Sequence, residues 1–185
     1  MSIFYGTQYE SVKEIYDLGL ATPLSIMNGG IDFRENRLTN LVGLPPEVNG
    51  HLIIGSNCLT TLEGCPEKCY ILMVTNNELT NLKFVAKTMT YISLCGNPLS
   101  DVSDLYDSHF TQYYWNVHVD YHDELAVLPI LKFNNIIYKN DDFKKIIMKH
   151  ENKNLAKENI IECQFDLIQN GFAQNARWIP KCAHL

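Results

Sequence analysis

The sequence predicts an α/β solenoid with a parallel sheet, built from short repeats of about 20 residues. Three observations lead to this fold class. An asparagine recurs at a nearly constant interval, and a leucine always stands two positions after it. Apolar residues keep fixed distances on both sides of each asparagine. The 185-residue chain is 46% hydrophobic, which suffices for one domain with a continuous core. The repeated asparagines are Asn36, Asn57, Asn77 and Asn97.

Each repeat begins with a predicted strand. Apolar residues stand five and three positions before the asparagine, and both would point inward because alternate strand residues share a face. The asparagine follows where the chain turns away, and its amide is expected to bond turn backbone that would otherwise stay unsatisfied. Prolines in "GLPPEVNG" and "GCPEKCY" favour an extended return path. The inward rows are Ile31, Leu52, Leu72 and Ile92, then Phe33, Ile54, Val74 and Leu94.

The two ends of such a stack are expected to need caps, because a solenoid exposes an apolar cross-section at each end. Within a single domain, 1–185, we predict an N-terminal helical cap over 1–28. The repeats are expected over 29–103, and an α-rich C-terminal cap over 104–185.

Three helices are predicted in these caps. The first would begin at a capping box formed by Thr7 and Glu10. The second would take Asn140 or Asp141 as its N-cap, and the third would end at Gly171. The residues expected to face inward are Val12, Ile15, Tyr16, Phe143, Ile146, Ile147, Ile160, Ile161, Phe165, Leu167 and Ile168.

The repeat pattern N-x-L-T-x-L-x-G-x-P-x-x-V resembles the short leucine-rich repeats of phage-encoded proteins. The segment "CQFDLIQNGFAQNAR" is similar to the helical end of such proteins, and the matching positions are Cys163, Leu167, Ile168, Gly171 and Ala176. The resemblance implies a protein-binding solenoid of viral origin and implies no reaction. The sequence departs from the pattern at Cys65 and Cys69, which stand in leucine rows, and it has few complete repeats.

The residues between the inward strand positions are expected to point out from the sheet and to bind a partner. Adjacent strands lie about 4.8 Å apart, so their outward side chains would form one patch. An apolar centre with a polar rim is typical of a protein interface. Two alternatives stay open, since a second copy of the chain or another segment of the same chain could cover the patch. The predicted site comprises an apolar centre of His51, Ile53, Ile71, Met73 and Tyr91 and a charged margin of Asp32, Arg34 and Glu35.

The composition argues against several other partners. The net charge is -6 and no basic stripe is present, which disfavours nucleic acid. The apolar runs are too short for a membrane span, and "MSIFYGTQYESVK" lacks the features of a secretory signal. We therefore expect a cytoplasmic protein whose six cysteines are reduced.

The cysteines offer little support for chemistry. Zinc needs about four ligands that converge on one point, whereas the repeat register sends Cys58, Cys65 and Cys69 in different directions, with His51 also nearby in sequence. Cys163 in "ECQFD" has carboxylate neighbours, which disfavour a reactive thiolate. We expect no metal and no cofactor.

The segment "NVHVDYHDE" supplies the alternative that stays open. On a strand, His118, Asp120 and His122 would share one face and could hold a metal or transfer protons. No phosphate-binding loop or nucleophile accompanies them. The preferred hypothesis is a non-enzymatic interaction module of a phage, which binds and modulates or inhibits a host protein such as a defence protein. The rivals are a small metal-dependent or acid–base enzyme and a structural virion component.

Overall fold

The computed structural model describes residues 1–100, 102, 104–105, 109–110, 116–118, 140–150 and 157–176. For 109–110, 116–118 and 157–158 it describes the backbone alone. The elements are β1 (Ser2–Ile3), α1 (Val12–Asp17), α2 (Pro23–Gly29), β2 (Ile31–Asp32), β3 (Glu47–Ile53), β4 (Lys68–Met73), β5 (Thr88–Met89), β6 (Tyr91–Ser93), β7 (His109–Phe110), β8 (Asn116–His118), α3 (Asp141–His150) and α4 (Lys157–Gln169).

The described strands form one parallel sheet with two runs of pairing. One run joins β1, β2, β3, β4, β6 and β8, and the other joins β3, β4, β5 and β7. Leu52 pairs with Leu72, and Leu72 pairs with Ile92, so the chain returns to the same place once per sequence repeat. This recurrence confirms the predicted solenoid with a parallel sheet.

The first coil of the solenoid is longer than the others. Ser2 pairs with Ile31, a longer step along the chain than the one from Leu52 to Leu72, and this length leaves room for α1 and α2 on the return path. The range 1–28 was expected to be a helical cap, but it begins with a strand and forms a coil of its own. The shorter return paths from β2 to β3, from β3 to β4 and from β4 to β6 leave no room for comparable helices.

The predicted capping box at Thr7 and Glu10 is wrong. The helix α1 begins at Val12 and follows Ser11, whose side chain makes no cap hydrogen bond. The Thr7 hydroxyl instead lies 2.9 Å from Asn36 Oδ1. Thr7 therefore stands where later coils place an asparagine.

The sheet also continues past the expected end of the repeats at residue 103. Thr88 and Met89 of β5 pair with β7, and Ile92 pairs with Val117 in β8. The step from Ile92 to Val117 is longer than the one from Leu72 to Ile92, so the regular repeat spacing could not predict this pairing. The range 104–185 thus contains two strands of the sheet besides the helices α3 and α4.

The interior of the solenoid is filled by the predicted apolar rows. The strand rows and the leucines that follow each asparagine are fully buried, and Cys69 is 3% exposed. Cys65 is partly buried and packs against this core. The two cysteines therefore occupy interior positions that other coils fill with aliphatic residues.

The C-terminal helices agree only partly with their predicted packing. Asn140 caps α3, since its Oδ1 accepts the N–H groups of Asp142 and Phe143 at 3.0 Å each. The buried face of α4 contains Ile160, Cys163 and Leu167, one stripe at helical spacing. The prediction that a second set of apolar residues on α4 points inward is wrong, because a helix packed on one side buries only one stripe. The exposed residues are Ile161, Phe165 and Ile168, at 50%, 58% and 55%.

Candidate partner-binding face

The outward face of the sheet is built by alternation over the last three residues of β3 and of β4. Leu52 and Leu72 are fully buried, whereas the residues after them, Ile53 and Met73, are half-buried. The strands pair in register, so Ile53 lies beside Met73, and Met73 lies beside Ser93. This part of the predicted site forms one continuous row, although Ser93 at its end is buried.

A second row runs parallel to the first. His51 pairs with Ile71, and Ile71 pairs with Tyr91. His51 is exposed, and the other two are half-buried. The five residues predicted as the apolar centre therefore lie on two adjacent rows of the same sheet face.

Tyr70 joins this surface, and the sequence reasoning missed it. Its side chain is 55% exposed and stacks on His51, with ring centroids 6.1 Å apart and 13° between the ring planes. The pairing of β3 with β4 shifts register between Val48 and His51. The extra residue at this shift lies in β3, where Asn49 and Gly50 stand against Tyr70. In β4, Tyr70 and Ile71 are consecutive and both accessible, which strict alternation does not predict.

The charged margin differs from its prediction at one residue. Asp32 is only 3% exposed, and its carboxylate accepts hydrogen bonds from Arg34 Nε at 3.0 Å and Nη2 at 2.7 Å. These bonds lower the pKa of Asp32. Arg34 and Glu35 remain exposed. The margin therefore presents a guanidinium group and a carboxylate, while Asp32 serves to hold Arg34.

The strand β1 extends the face beyond the predicted site. Met1, Ile3 and Tyr5 are 56%, 65% and 49% exposed, and Arg34 lies over the Tyr5 ring at 5.4 Å from its centroid. A hydrogen bond with Glu35 raises the pKa of the Tyr5 hydroxyl. The sequence carried a signal for this coil, because Phe4, Thr7 and Tyr9 have the spacing of Phe33, Asn36 and Leu38.

The asparagines hold the turns that lead away from this face. Asn57 Oδ1 accepts the N–H of Leu38 in the preceding coil at 3.0 Å, and its Nδ2 donates to the carbonyl of Phe33 at 2.9 Å. Asn77 and Asn97 bond the preceding coil in the same way, through Leu59 and Leu79. Asn36 accepts from the Tyr9 N–H at 2.8 Å. These bonds fix the backbone where each strand ends.

The residue before each asparagine adopts a left-handed conformation. Its φ is +56° at Glu35, +55° at Ser56, +53° at Asn76, and +73° at Gly96. The same is true of Gly6 before Thr7, at +63°. This shared turn is further evidence that the segment from β1 to α2 forms a coil like the others.

The surface beside Tyr70 contains a small groove. It has a volume of about 150 Å³ and is lined by residues that include Asn49, Lys68 and Thr90. Sites for small molecules typically measure about 300–1,000 Å³. The groove suits a side chain of a protein partner better than a separate small-molecule ligand.

The candidate residues for chemistry are not brought together in the part of the chain that the structure describes. Burial raises the pKa of the Cys69 and Cys163 thiols to about 12, which removes them as nucleophiles near neutral pH. Within the described ranges, no group of three His, Cys, Asp or Glu side chains could hold a metal ion. His118 contributes its backbone to β8, and Asp120 and His122 lie outside the described residues.

No protein-family model, curated protein or solved structure matches this chain. Among the described helices, none has both the length and the apolar character needed to cross a membrane. The functional conclusion therefore rests on the surface of the molecule and on the chemistry of the residues that form it.

Proposed function

We propose that the protein is a non-enzymatic interaction module that binds another protein through the outward face of β3 and β4. The observation that carries this proposal is the pair of accessible rows on that face. Ile53 and Met73 present apolar atoms beside the stacked rings of His51 and Tyr70. Aromatic side chains and Met are enriched in protein interfaces and adapt well to a partner surface.

The rim of this face supports the same function. Arg34 is held by Asp32 on one side and lies over Tyr5, so its guanidinium group is fixed before a partner arrives. A pre-positioned Arg loses less side-chain entropy on binding than a free one. We infer that an acidic or carbonyl-rich segment of the partner meets Arg34, while an apolar segment covers Met73.

We also propose a class of protein and a biological setting for this interaction module. The repeat pattern and the asparagine bonds support a short leucine-rich-repeat protein. The resemblance of both halves of the sequence to phage-encoded proteins supports a role in the bacterial cytoplasm during infection. There the protein would bind and modulate or inhibit a host protein, for example one used in defence.

Substitution of Met73 tests the proposal. Met73→Glu places a charge at the centre of the face, and we expect recovery of the partner from bacterial lysate to fall by at least about tenfold. Val42→Glu is the matched control, because Val42 is 53% exposed on the return path between β2 and β3. The control should bind like the wild type.

Three other outcomes have distinct meanings. Equal recovery by Met73→Glu and the wild type would move the binding site to another surface, such as the exposed stripe of α4. Unfolding of Met73→Glu would show that the residue belongs to the core. A partner that is absent from both samples, together with the protein in purified virus particles, would favour a structural role in the virion.

A further inference from the structure

Among the described strands, β1 pairs with β2 alone and leaves the other side of its backbone open. The N–H groups of Ser2, Phe4 and Gly6 donate to carbonyls of β2 and its flanking residues at 2.8–3.1 Å. Backbone groups of alternate strand residues point to opposite sides. The backbone N–H and C=O groups of Met1, Ile3 and Tyr5 therefore point away from β2, out from the edge of the described sheet.

This edge lacks the sequence devices that keep sheet edges apart. Proteins usually protect an edge strand with lysine, proline, a bulge or a covering segment. The N-terminal stretch "MSIFYGTQY" contains no charged side chain and no proline. The Ile3 side chain at the middle of the edge is 65% exposed, so no described segment covers it.

The hydrophobic core is also less completely buried at this edge than in the later coils. Phe4 and Tyr9 stand in interior rows, but both are only partly buried, and their rings meet edge to face with centroids 6.2 Å apart. In later coils the same rows are fully buried, as Phe33 and Leu38 are. A further strand on β1 would complete the burial of Phe4.

We propose that β1 pairs antiparallel with β1 of a second copy of this chain, around a two-fold axis at Ile3. A two-fold axis requires a self-complementary surface, and an edge with no charged side chain and an apolar centre meets this condition. A strand is the required occupant because the open groups are backbone N–H and C=O groups, which an unrelated apolar surface cannot bond.

The geometry of this pairing follows from the edge itself. Residues whose open groups face each other in an antiparallel pair exchange two N–H···O bonds. Ile3 would exchange both bonds with Ile3 of the second copy, and Tyr5 would lie opposite Met1. The accessible faces of the two sheets would then form one surface, so this inference is independent of which partner that surface binds.

Sedimentation of the whole chain tests the proposal. We expect a reversible dimer whose dissociation constant rises at least about tenfold in Ile3→Lys, because two like charges would face each other across the axis. Val42→Lys introduces the same charge elsewhere and should leave the dimer unchanged. A wild-type protein that stays monomeric, or a dimer that Ile3→Lys leaves intact, would overturn the proposal.

A cysteine at the axis provides a second test that requires no loss of stability. Residues in a hydrogen-bonded antiparallel pair have Cα atoms about 5.5 Å apart, within the range for a disulfide. In a Cys58→Ser background, Ile3→Cys should form a disulfide-linked dimer under mild oxidation, and peptide mass spectrometry should show the two substituted positions joined to each other. Val42→Cys is the matched control, and equal rates of linkage in the two variants would contradict the two-fold pairing.

Discussion

Replacement of Asn57 by alanine is the sharpest test of what holds the coils together. Asn57 is 8% exposed, and its Oδ1 accepts the Leu38 N–H at 3.0 Å. Its Nδ2 donates to the carbonyls of Phe33 and Ile54 at 2.9 and 3.3 Å. Its Nδ2 also donates to the Gly55 carbonyl at 3.2 Å. Alanine removes all four bonds while it leaves the strands on both sides unchanged.

The expected loss of stability follows from the hydrogen bonds that each partner of Asn57 keeps in the variant. The Phe33 carbonyl keeps a bond from Asn36 Nδ2, and the Ile54 carbonyl keeps one from Asn77 Nδ2. The Leu38 N–H keeps no comparable bond within the described structure and would be buried without an acceptor. An orphaned buried donor costs about 1–3 kcal/mol, and the lost amide bonds add about 1 kcal/mol. We therefore expect Asn57→Ala to lower the free energy of unfolding by roughly 2–4 kcal/mol.

The assay is urea denaturation followed by circular dichroism, with Asn81→Ala as the matched control. Asn81 Oδ1 also accepts a backbone N–H, that of Lys83 at 3.1 Å, but at an exposed site. Water can replace this bond, so the control should lose less than about 1 kcal/mol. Equal losses in the two variants would refute the reasoning that burial of the Leu38 N–H makes the asparagine important.

A second variant separates the acceptor of Asn57 from its donors. Asn57→Asp keeps an oxygen for the Leu38 N–H but directs a carboxylate oxygen at the three carbonyls that Asn57 Nδ2 bonds. Burial and these carbonyls should raise the pKa of the new carboxyl above its unfolded value of about 3.9. Its destabilisation should therefore be smallest near pH 4 and should grow as the pH rises to 7. A pH-independent loss would contradict the assigned direction of the amide.

The remaining predictions concern glycine, thiol and carboxylate sites. Gly64→Ala should cost more than about 3 kcal/mol, because φ is +86° and a Cβ would lie 2.3 Å from backbone atoms of the preceding coil. Gly43→Ala, where φ is +105° and the nearest atom is 3.5 Å away, should cost only about 1–2 kcal/mol in thermal denaturation. A thiol reagent should modify exposed Cys58 quickly at pH 8 and should reach buried Cys69 only after unfolding, which peptide mass spectrometry can check. Hydrogen bonds from the adjacent lysine and histidine of α3 lower the pKa of Asp166, so its stabilising contribution should be present above its unfolded pKa and lost on acidification. Asp166→Asn should remove that part of the pH dependence in acid denaturation.

The sequence predicts the interior of this fold well, because the interior is set by periodicity. Leu52 and Ile54 are fully buried as alternation requires, and Leu59 follows its asparagine into the core. Each of these positions has the same local environment in successive coils. A repeated pattern therefore defines them without any knowledge of the rest of the chain.

The parts that the sequence missed depend on changes in spacing or on contacts between coils. The first coil escaped recognition because Thr7 replaces asparagine and the step from Ser2 to Ile31 is longer than a regular repeat. Tyr70 escaped because it and the next residue, Ile71, are both accessible, which alternation does not predict. The alternation predicts the position of Asp32 in its strand but cannot show that it is buried and bonded to Arg34.

The C-terminal helices show a different limit. An apolar helix sequence shows that some face will be buried, but the choice between two overlapping stripes depends on the neighbour. The packing of α4 buries Cys163 and Leu167 and leaves Phe165 exposed. The closely spaced apolar positions of this helix could support either choice.

The direction of the asparagine hydrogen bonds makes the two ends of the stack chemically different. The backbone N–H of the leucine after each asparagine donates to the asparagine Oδ1 of the next coil. The Leu59 N–H donates to Asn77 Oδ1, and the Leu79 N–H donates to Asn97 Oδ1. Removal of a coil from the C-terminal side would leave a backbone N–H group of the remaining coil without its acceptor, and this group is fixed in a turn and cannot rotate towards water. Removal from the N-terminal side would leave an amide oxygen exposed to water, which can hydrate it readily. The stack should therefore tolerate loss of its beginning better than loss of its end, and unfolding should spread from the first coil towards the later ones.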